Sequence, residues 1–193
     1  ITNSFFFMKV ENQEKLWDVI APEWQEYKKV PSGRSQSFLE KCVGNVLDLG
    51  GGSGRHMVPI KDGKYYLLDF SKKMVKLAEK KADELGINFE GIHSSMTDIP
   101  KEDELFDYAI CVSSLHSVEG EENRLKSVQE LYRVLKKGGE GYIGVWNFNS
   151  KRFNQKNGKE KLVGWRDKGK RYYYLFDKKE VHDLFKSVGF EIV

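Results

Sequence analysis

Cysteine is almost missing from this chain: Cys42 and Cys111 are the two among 193 residues. They form no cluster of the kind that binds metal, so no metal site is expected. Cys111 falls in an apolar run and Cys42 just before one, which reads as two reduced core thiols of a cytoplasmic protein. Long apolar runs are missing too. None approaches the roughly 20 residues of a membrane span, so no membrane association is expected. Ser4-Phe5-Phe6-Phe7-Met8 is too short for the apolar stretch of a secretion signal. There is no internal repeat, no low-complexity tract and no domain linker. The length suits one α/β domain with a real core, spanning residues 1–193. The chain stops at Val193 in mid-strand, so the last strand is expected to be incomplete. Neither sign of charge dominates, at a net +3.

What is present is organised around residues 46–54, Val-Leu-Asp-Leu-Gly-Gly-Gly-Ser-Gly. An apolar run from Asn45 to Leu49 carries Asp48 and breaks into Gly50, Gly51, Gly52 and Gly54. This predicts a buried strand turning sharply toward a helix. Glycine is needed where the backbone takes positive φ or where a ligand lies against it. In dinucleotide sites such a turn and the following helix start cradle a pyrophosphate. Here an acid stands just before the glycines; it repels phosphate and suits an ammonium group. Lys64 to Asp69 is a second apolar run ending in an acid, 19 residues after Gly50. An acid at the tip of a second strand can accept both hydroxyls of a ribose. Ammonium at one end and adenosine at the other describe S-adenosyl-L-methionine (SAM). The competing readings are a nicotinamide dinucleotide site and a plain turn.

The remaining pattern alternates helices and strands. Residues 11–27 predict an amphipathic helix with Leu16, Val19 and Ile20 on one face, Trp17 and Trp24 beside it, and a kink or break at Pro22. It is read as a cap over the cofactor mouth or a helix merely docked on the sheet. Lys28, Lys29 and Arg34 are assigned to the loop that follows. Arg55, His56 and Met57 open the helix after the glycine turn, with His56 a surface or packing residue. Ser71 caps a helix with the stripe Met74, Leu77, Ala78, Ala82 and Leu85, ended by Gly86. A third strand covers Ile87 to Ile92, and Asp98 is a turn residue or an adenine contact. A fourth covers Phe106 to Val112 and leads into His116, where ligands of open α/β sheets bind. Residues 121–135 predict a helix with Leu125, Val128, Tyr132 and Leu135 on one face. Lys136 and Lys137 suit its C-terminal dipole, and Gly138 and Gly139 end it. A fifth strand runs from Gly141 to Trp146. Asp177 and Glu180 start a last helix as a capping box, Gly189 stops it, and Phe190 to Val193 begins a final strand.

Residues 147–176 differ from the rest. Lys151 to Arg171 hold nine Lys or Arg against Glu160 and Asp167, a local +7 that leaves the remainder of the chain at −4. Phe148, Phe153, Trp165, Tyr172, Tyr173 and Tyr174 are threaded through and around this stretch. Basic charge attracts phosphate and aromatic faces stack bases, so the segment reads as a nucleic-acid contact. The alternative is a solvated, mobile basic insertion.

The glycine turn with Asp69 resembles the cofactor motif of class I SAM-dependent methyltransferases. The resemblance narrows along the chain to tRNA methyltransferases acting on carboxymethyl-modified wobble uridine. It is carried by Trp17-Asp18-x-Ile20-Ala21-Pro22-x-Trp24, Ser113-x-x-His116-Ser117, Arg133-Val134-Leu135-x-x-Gly138-Gly139, Tyr142-Ile143-x-Val145-Trp146, Val163-x-Trp165 and Arg171-Tyr172-Tyr173-x-Leu175-Phe176. It implies a Rossmann-like, mostly parallel seven-stranded sheet with helices on both faces. It also implies SAM as cofactor with S-adenosyl-L-homocysteine as product, a tRNA substrate and a small zinc-binding activator subunit as partner. Cofactor contacts are then expected at Asp48, Gly50, Gly52, Gly54, Asp69, Phe70, Ser95, Met96 and Ser113. Against the family pattern, Ser95 replaces an aspartate, Ser117 a second histidine, Lys28 an arginine and Gly164 a proline.

A carboxylate acceptor is already ionised at neutral pH, so placement matters more than a strong base. Lys28, Arg34 and Arg171 are the candidates to hold it. His116 is read as a hydrogen-bonding group or weak base, and Trp146, Trp165 and Tyr173 as stacking surfaces. A small-molecule methyltransferase of the same fold and a non-catalytic SAM-binding module remain as alternative readings.

Overall fold

The computed structural model describes residues 12–153 and 158–193. Ser4 to Met8 and Lys156 lie outside them. Five strands form one sheet: β1 (Val46–Leu49), β2 (Tyr65–Asp69), β3 (Phe89–His93), β4 (Phe106–Val112) and β5 (Leu135–Gly144). Their order is β3-β2-β1-β4-β5, and each pairing is parallel. β1 and β2 are buried at every position, as continuous apolar runs in a parallel sheet should be. Alternation sends their side chains to opposite faces. Leu47, Leu49, Tyr66 and Leu68 join one core with the helix α4 (Glu121–Val134) and Phe185 of α5 (Lys178–Val188). Val46, Tyr65 and Leu67 join the other, with Leu39 of α2 (Gly33–Leu39) and Ala78 and Ala82 of α3 (Lys72–Leu85). Helices therefore cover both faces, as expected.

The expected count of seven strands in one sheet is not what the described residues show. β6 (Glu160–Gly164) and β7 (Lys170–Tyr174) pair antiparallel as a separate hairpin. A single bridge between Asn147 and Phe176 leads from the end of β5 to the end of the hairpin. Phe190 packs against Tyr132 and Phe185, and no strand follows it to Val193. Residues 171–173, 175 and 176, at the end of the basic stretch, are buried, whereas the described residues from 151 to 170 are exposed or half-buried.

Several local expectations change. The first helix, α1 (Gln13–Tyr27), runs through Pro22, because its buried Leu16, Ile20 and Ala21 outweigh one lost backbone bond. Val19 is exposed. Arg34 belongs to α2 rather than a loop. No helix follows the glycine turn. Residues 52–56 form turns, and Pro59 and the short return to β2 leave no room for a helix. In α3 Val75 is buried and Leu85 is exposed; in α4 the buried face is Val128, Leu131 and Val134, with Tyr132 outside. Lys136 and Lys137 do not end α4: that helix passes directly into β5, and the two lysines pair with Asp107 and Glu104. The expected caps of α3 by Ser71 and Gly86, and the Asp177–Glu180 capping box of α5, are present.

Candidate functional site

Strand order reverses between β1 and β4, and the crevice beyond their carboxyl ends is where this architecture binds ligands. A cleft of about 530 Å³ opens there. Its floor is the glycine turn. Gly50 and Gly52 have φ of +71° and +58°, and both line the cleft. A methyl group on Gly50 would come within 2.5 Å of the Ser114 Cβ. The N–H groups of Gly50 and Gly51 donate to the Leu68 carbonyl, tying the turn to the end of β2.

Asp69 closes β2 and faces the same cleft. Its two carboxyl oxygens accept from the backbone N–H groups of Gly52 and Ser71, both at 2.9 Å. Each oxygen keeps a second lone-pair direction, so an oriented carboxylate is ready for a vicinal diol. Burial pushes its pKa up to about 6, against the lowering effect of those two N–H groups. Phe70, Ser95, Met96 and Ser113 also line the cleft. Ser113 holds a φ of +64° while its N–H donates to the Gly144 carbonyl. Asp98 is exposed, and its N–H closes a turn onto the Ser95 carbonyl.

Two expected cofactor residues are placed elsewhere. Asp48 lies beneath the turn, because strand alternation points it to the Val46 face and away from the crevice. It accepts a hydrogen bond from the Tyr65 hydroxyl at 2.8 Å, and a Cβ on Gly51 would stand 2.6 Å from its Oδ2. Burial pushes its pKa up to about 7. It does not line the cleft. Gly54 is also outside the lining; its carbonyl accepts from Lys81. Arg55 lines the cleft and went unnoticed as a ligand residue in the sequence. Its guanidinium donates to His56 Nε2 at 3.0 Å, so the His56 proton must be on Nδ1, toward Ser35 Oγ at 2.8 Å. His56 is thereby a packing histidine, with burial holding its pKa down near about 4.

The opposite wall is aromatic. The His116, Trp146 and Tyr173 rings contact one another at 4.8, 5.3 and 4.3 Å between centroids. Phe153 stacks on Trp146 at 5.2 Å. Trp146 thus packs against two near-parallel protein rings and serves as a wall rather than an open stacking surface. Trp165 lies outside the lining: its Nε1–H donates to Glu23 and its ring meets Trp24 and Tyr27.

Lys28 caps α1 and lines the cleft, its amine 5.8 and 5.1 Å from the Trp24 and Tyr27 ring centres. Burial and then Arg55, Arg152 and Arg171 hold its pKa below the ordinary lysine value. Arg171 stands just behind the lining, ringed by Trp17, Trp24, Trp165 and Tyr173 at 4.9–5.8 Å. Among the described residues, none of these four cations meets a carboxylate in an ion pair. Arg34 is exposed and away from the site. Among the described residues no three His, Cys, Asp or Glu side chains gather as a metal set. No described helix is long and apolar enough to cross a membrane.

Residues 46–139 match the model of a methyltransferase domain, over the strands and glycine turn that build the cleft. The chain is a SAM-dependent methyltransferase of Rossmann-like fold. It is 27% identical to the tRNA (carboxymethyluridine(34)-5-O)-methyltransferase of Schizosaccharomyces pombe, over 96% of this chain and 92% of that protein. A Thermotoga maritima structure, described as a SAM-dependent methyltransferase and possible histamine N-methyltransferase, superposes with a TM-score of 0.64. The two are 26% identical over 92% of this chain and 81% of that one. A Haloferax volcanii complex of the Trm112 methyltransferase activator with a methyltransferase shares the fold at a TM-score of 0.69. Identity there is 19% over 96% and 79% of the two chains.

Proposed function

We propose that this chain methylates the carboxylate of a carboxymethyl-modified wobble uridine in tRNA. The observation that carries the reading is the group of unpaired cations, Lys28, Arg55, Arg152 and Arg171, at and behind the aromatic mouth of the SAM cleft. Lys28 and Arg171 are partly buried, with other cations near each; such cations are completed by an anion, and a planar carboxylate suits arginine. Bound SAM supplies an electrophilic methyl group on a sulfonium sulfur. Asp69 would take the ribose hydroxyls, the glycine turn would carry the adjoining atoms, and Phe70, Ser95 and Met96 would border the adenine. Arg55 is positioned for the cofactor carboxylate. Lys28 and Arg171 would hold the acceptor against the wall formed by Trp146 and Tyr173, with α1 and the β6–β7 hairpin as parts of the same domain. The likeness to the yeast tRNA enzyme supports the substrate. The Haloferax neighbour was solved with the Trm112 methyltransferase activator, and an activator subunit is the partner this reading carries, with the cytoplasm as the place of the reaction.

The test is transfer of labelled methyl from SAM to tRNA from cells lacking their own wobble-uridine methyltransferase, with and without an activator subunit, followed by nucleoside mass analysis. A labelled uridine methyl ester is the expected product. Measurable SAM binding without label in either arm overturns the tRNA reading in favour of a small-molecule acceptor, the alternative suggested by the way α1 closes over the cleft.

A further inference from the structure

We propose that His116 is a fixed hydrogen-bond donor that holds the acceptor oxygen through its Nε2–H, and that the acceptor site carries no general base. The tautomer follows from one contact. His116 Nδ1 stands 3.2 Å from the backbone N–H of Trp146, which can only donate. Nδ1 therefore keeps its lone pair, and the neutral ring carries its proton on Nε2. That nitrogen is buried and has no partner among the described residues, although the ring lines the cleft. Packing against Trp146 and Tyr173 holds the ring in this orientation. A buried N–H that borders a ligand cleft and lacks a partner among the described residues needs an explanation, and an oxygen of the bound acceptor is the one assigned to it.

A base at this position would need the lone pair on Nε2 and a proton on Nδ1. Two N–H groups would then face each other across 3.2 Å, and the Trp146 N–H would lose its acceptor. The imidazolium is excluded as well, since burial pushes its pKa down to about 3. Among the described residues, no other group around the ring takes over. The Tyr173 phenol is pushed up to about 12 by burial. Lys28, Arg152 and Arg171 are cations, and Glu119 is exposed at the rim of the cleft. The acceptor must therefore arrive ionised. One O–C bond forms, one C–S bond breaks with its electron pair left on sulfur, and no proton moves. A nitrogen acceptor would have to arrive already deprotonated, because His116 cannot take its proton, and the surrounding cations favour an anionic oxygen over it. This role rests on the carboxylate reading above; the tautomer does not.

Two variants separate the possibilities. Glutamine places an N–H near the Nε2 position, whereas asparagine keeps an acceptor near Nδ1 and has no donor farther out. We expect His116→Gln to stay within about tenfold of the parent in kcat/KM for the tRNA, and His116→Asn to fall roughly a hundredfold. Both should keep the parent's calorimetric SAM affinity, which reports intact folding. The parent kcat at saturating SAM should be flat from about pH 6 to about pH 8. Equal loss in both variants, or a tenfold rise per pH unit in that window, overturns the donor assignment in favour of a base. Activity kept by Asn and lost by Gln makes the role purely structural and overturns it too. The tautomer is read independently from long-range ¹⁵N–¹H NMR of the SAM-free protein. A proton on Nδ1 overturns the proposal whatever the substrate is. A proton on Nε2 in a protein that methylates no tRNA overturns the substrate reading and the acceptor-holding role with it.

Discussion

On the proposed reading, Asp69 concentrates the residue-level chemistry of the cofactor end. Its oxygens are held by two backbone N–H groups, and its pKa is raised to about 6 because burial outweighs them. Only the carboxylate can accept two ribose hydroxyls, so protonation removes the interaction. SAM affinity should be constant above about pH 7 and weaken roughly tenfold per pH unit below about pH 6; calorimetry across that range checks this. Asp69→Ala should abolish measurable binding at any pH. The same raised pKa has the opposite sign for folding. The native carboxyl holds its proton to higher pH than the unfolded chain does, so this group favours the native state most at low pH. That contribution is lost as pH rises through about 6. Asp69 was legible because an acid ending an apolar run at a fixed distance from a glycine turn is a one-dimensional pattern. Asp48 lies outside the cleft lining for an equally plain reason. Its distance from the glycines along the chain is right, but alternation in β1 decides its direction, and that direction is under Gly51.

At the scale of elements, α1 is fastened at both ends of the site. Asp18 accepts from the Ser71 hydroxyl at 2.6 Å and the Lys73 N–H at 2.9 Å, so one helix caps another beside Asp69. Glu23 accepts from Trp165 and pairs with Arg166 and Lys168 of the hairpin region, and Gln13 accepts from the Tyr172 N–H. Loss of a helix-capping carboxylate typically costs about 1 kcal/mol. Asp18→Ala should accordingly lower the melting temperature by about 2–4 °C and weaken SAM binding, since Ser71 also donates to Asp69; thermal melts with and without SAM check both. Helix existence and caps were readable from Ser71, Gly86, Asp177 and Gly189. Helix phase was less so. In α3 and α4 the period is right, yet Leu85 and Tyr132 face out while Val75 and Leu131 face in. Periodicity states that a helix has an apolar side, and the docking of neighbours selects which residues occupy its centre.

Over the whole molecule, the +7 stretch does not offer all its charge to a partner. Lys159 pairs with Asp177 and Glu180, and Lys168 with Glu23. Arg152 and Arg171, near the cleft, remain unpaired among the described residues. Binding of tRNA should therefore weaken steeply with salt, by tenfold or more between about 50 and about 200 mM, whereas a small-molecule acceptor would show little dependence; filter binding over a salt series separates the two. The sequence by itself determined the succession of the sheet strands, the glycine turn, the acid that ends β2, the SAM chemistry and the position of His116 after β4. Each of these depends on neighbours along the chain, where patterns of two, three or four residues suffice. Tertiary structure alone decided that Asp48 turns away and that β6 and β7 form a separate hairpin. It also packed Tyr173 and Phe153 against Trp146, drew Lys28, Arg55, Arg152 and Arg171 together, and left one nitrogen of His116 satisfied and the other without a partner among the described residues. Those outcomes depend on which segments pack against each other, and a side chain's direction, desolvation and hydrogen-bond partners exist only once they have.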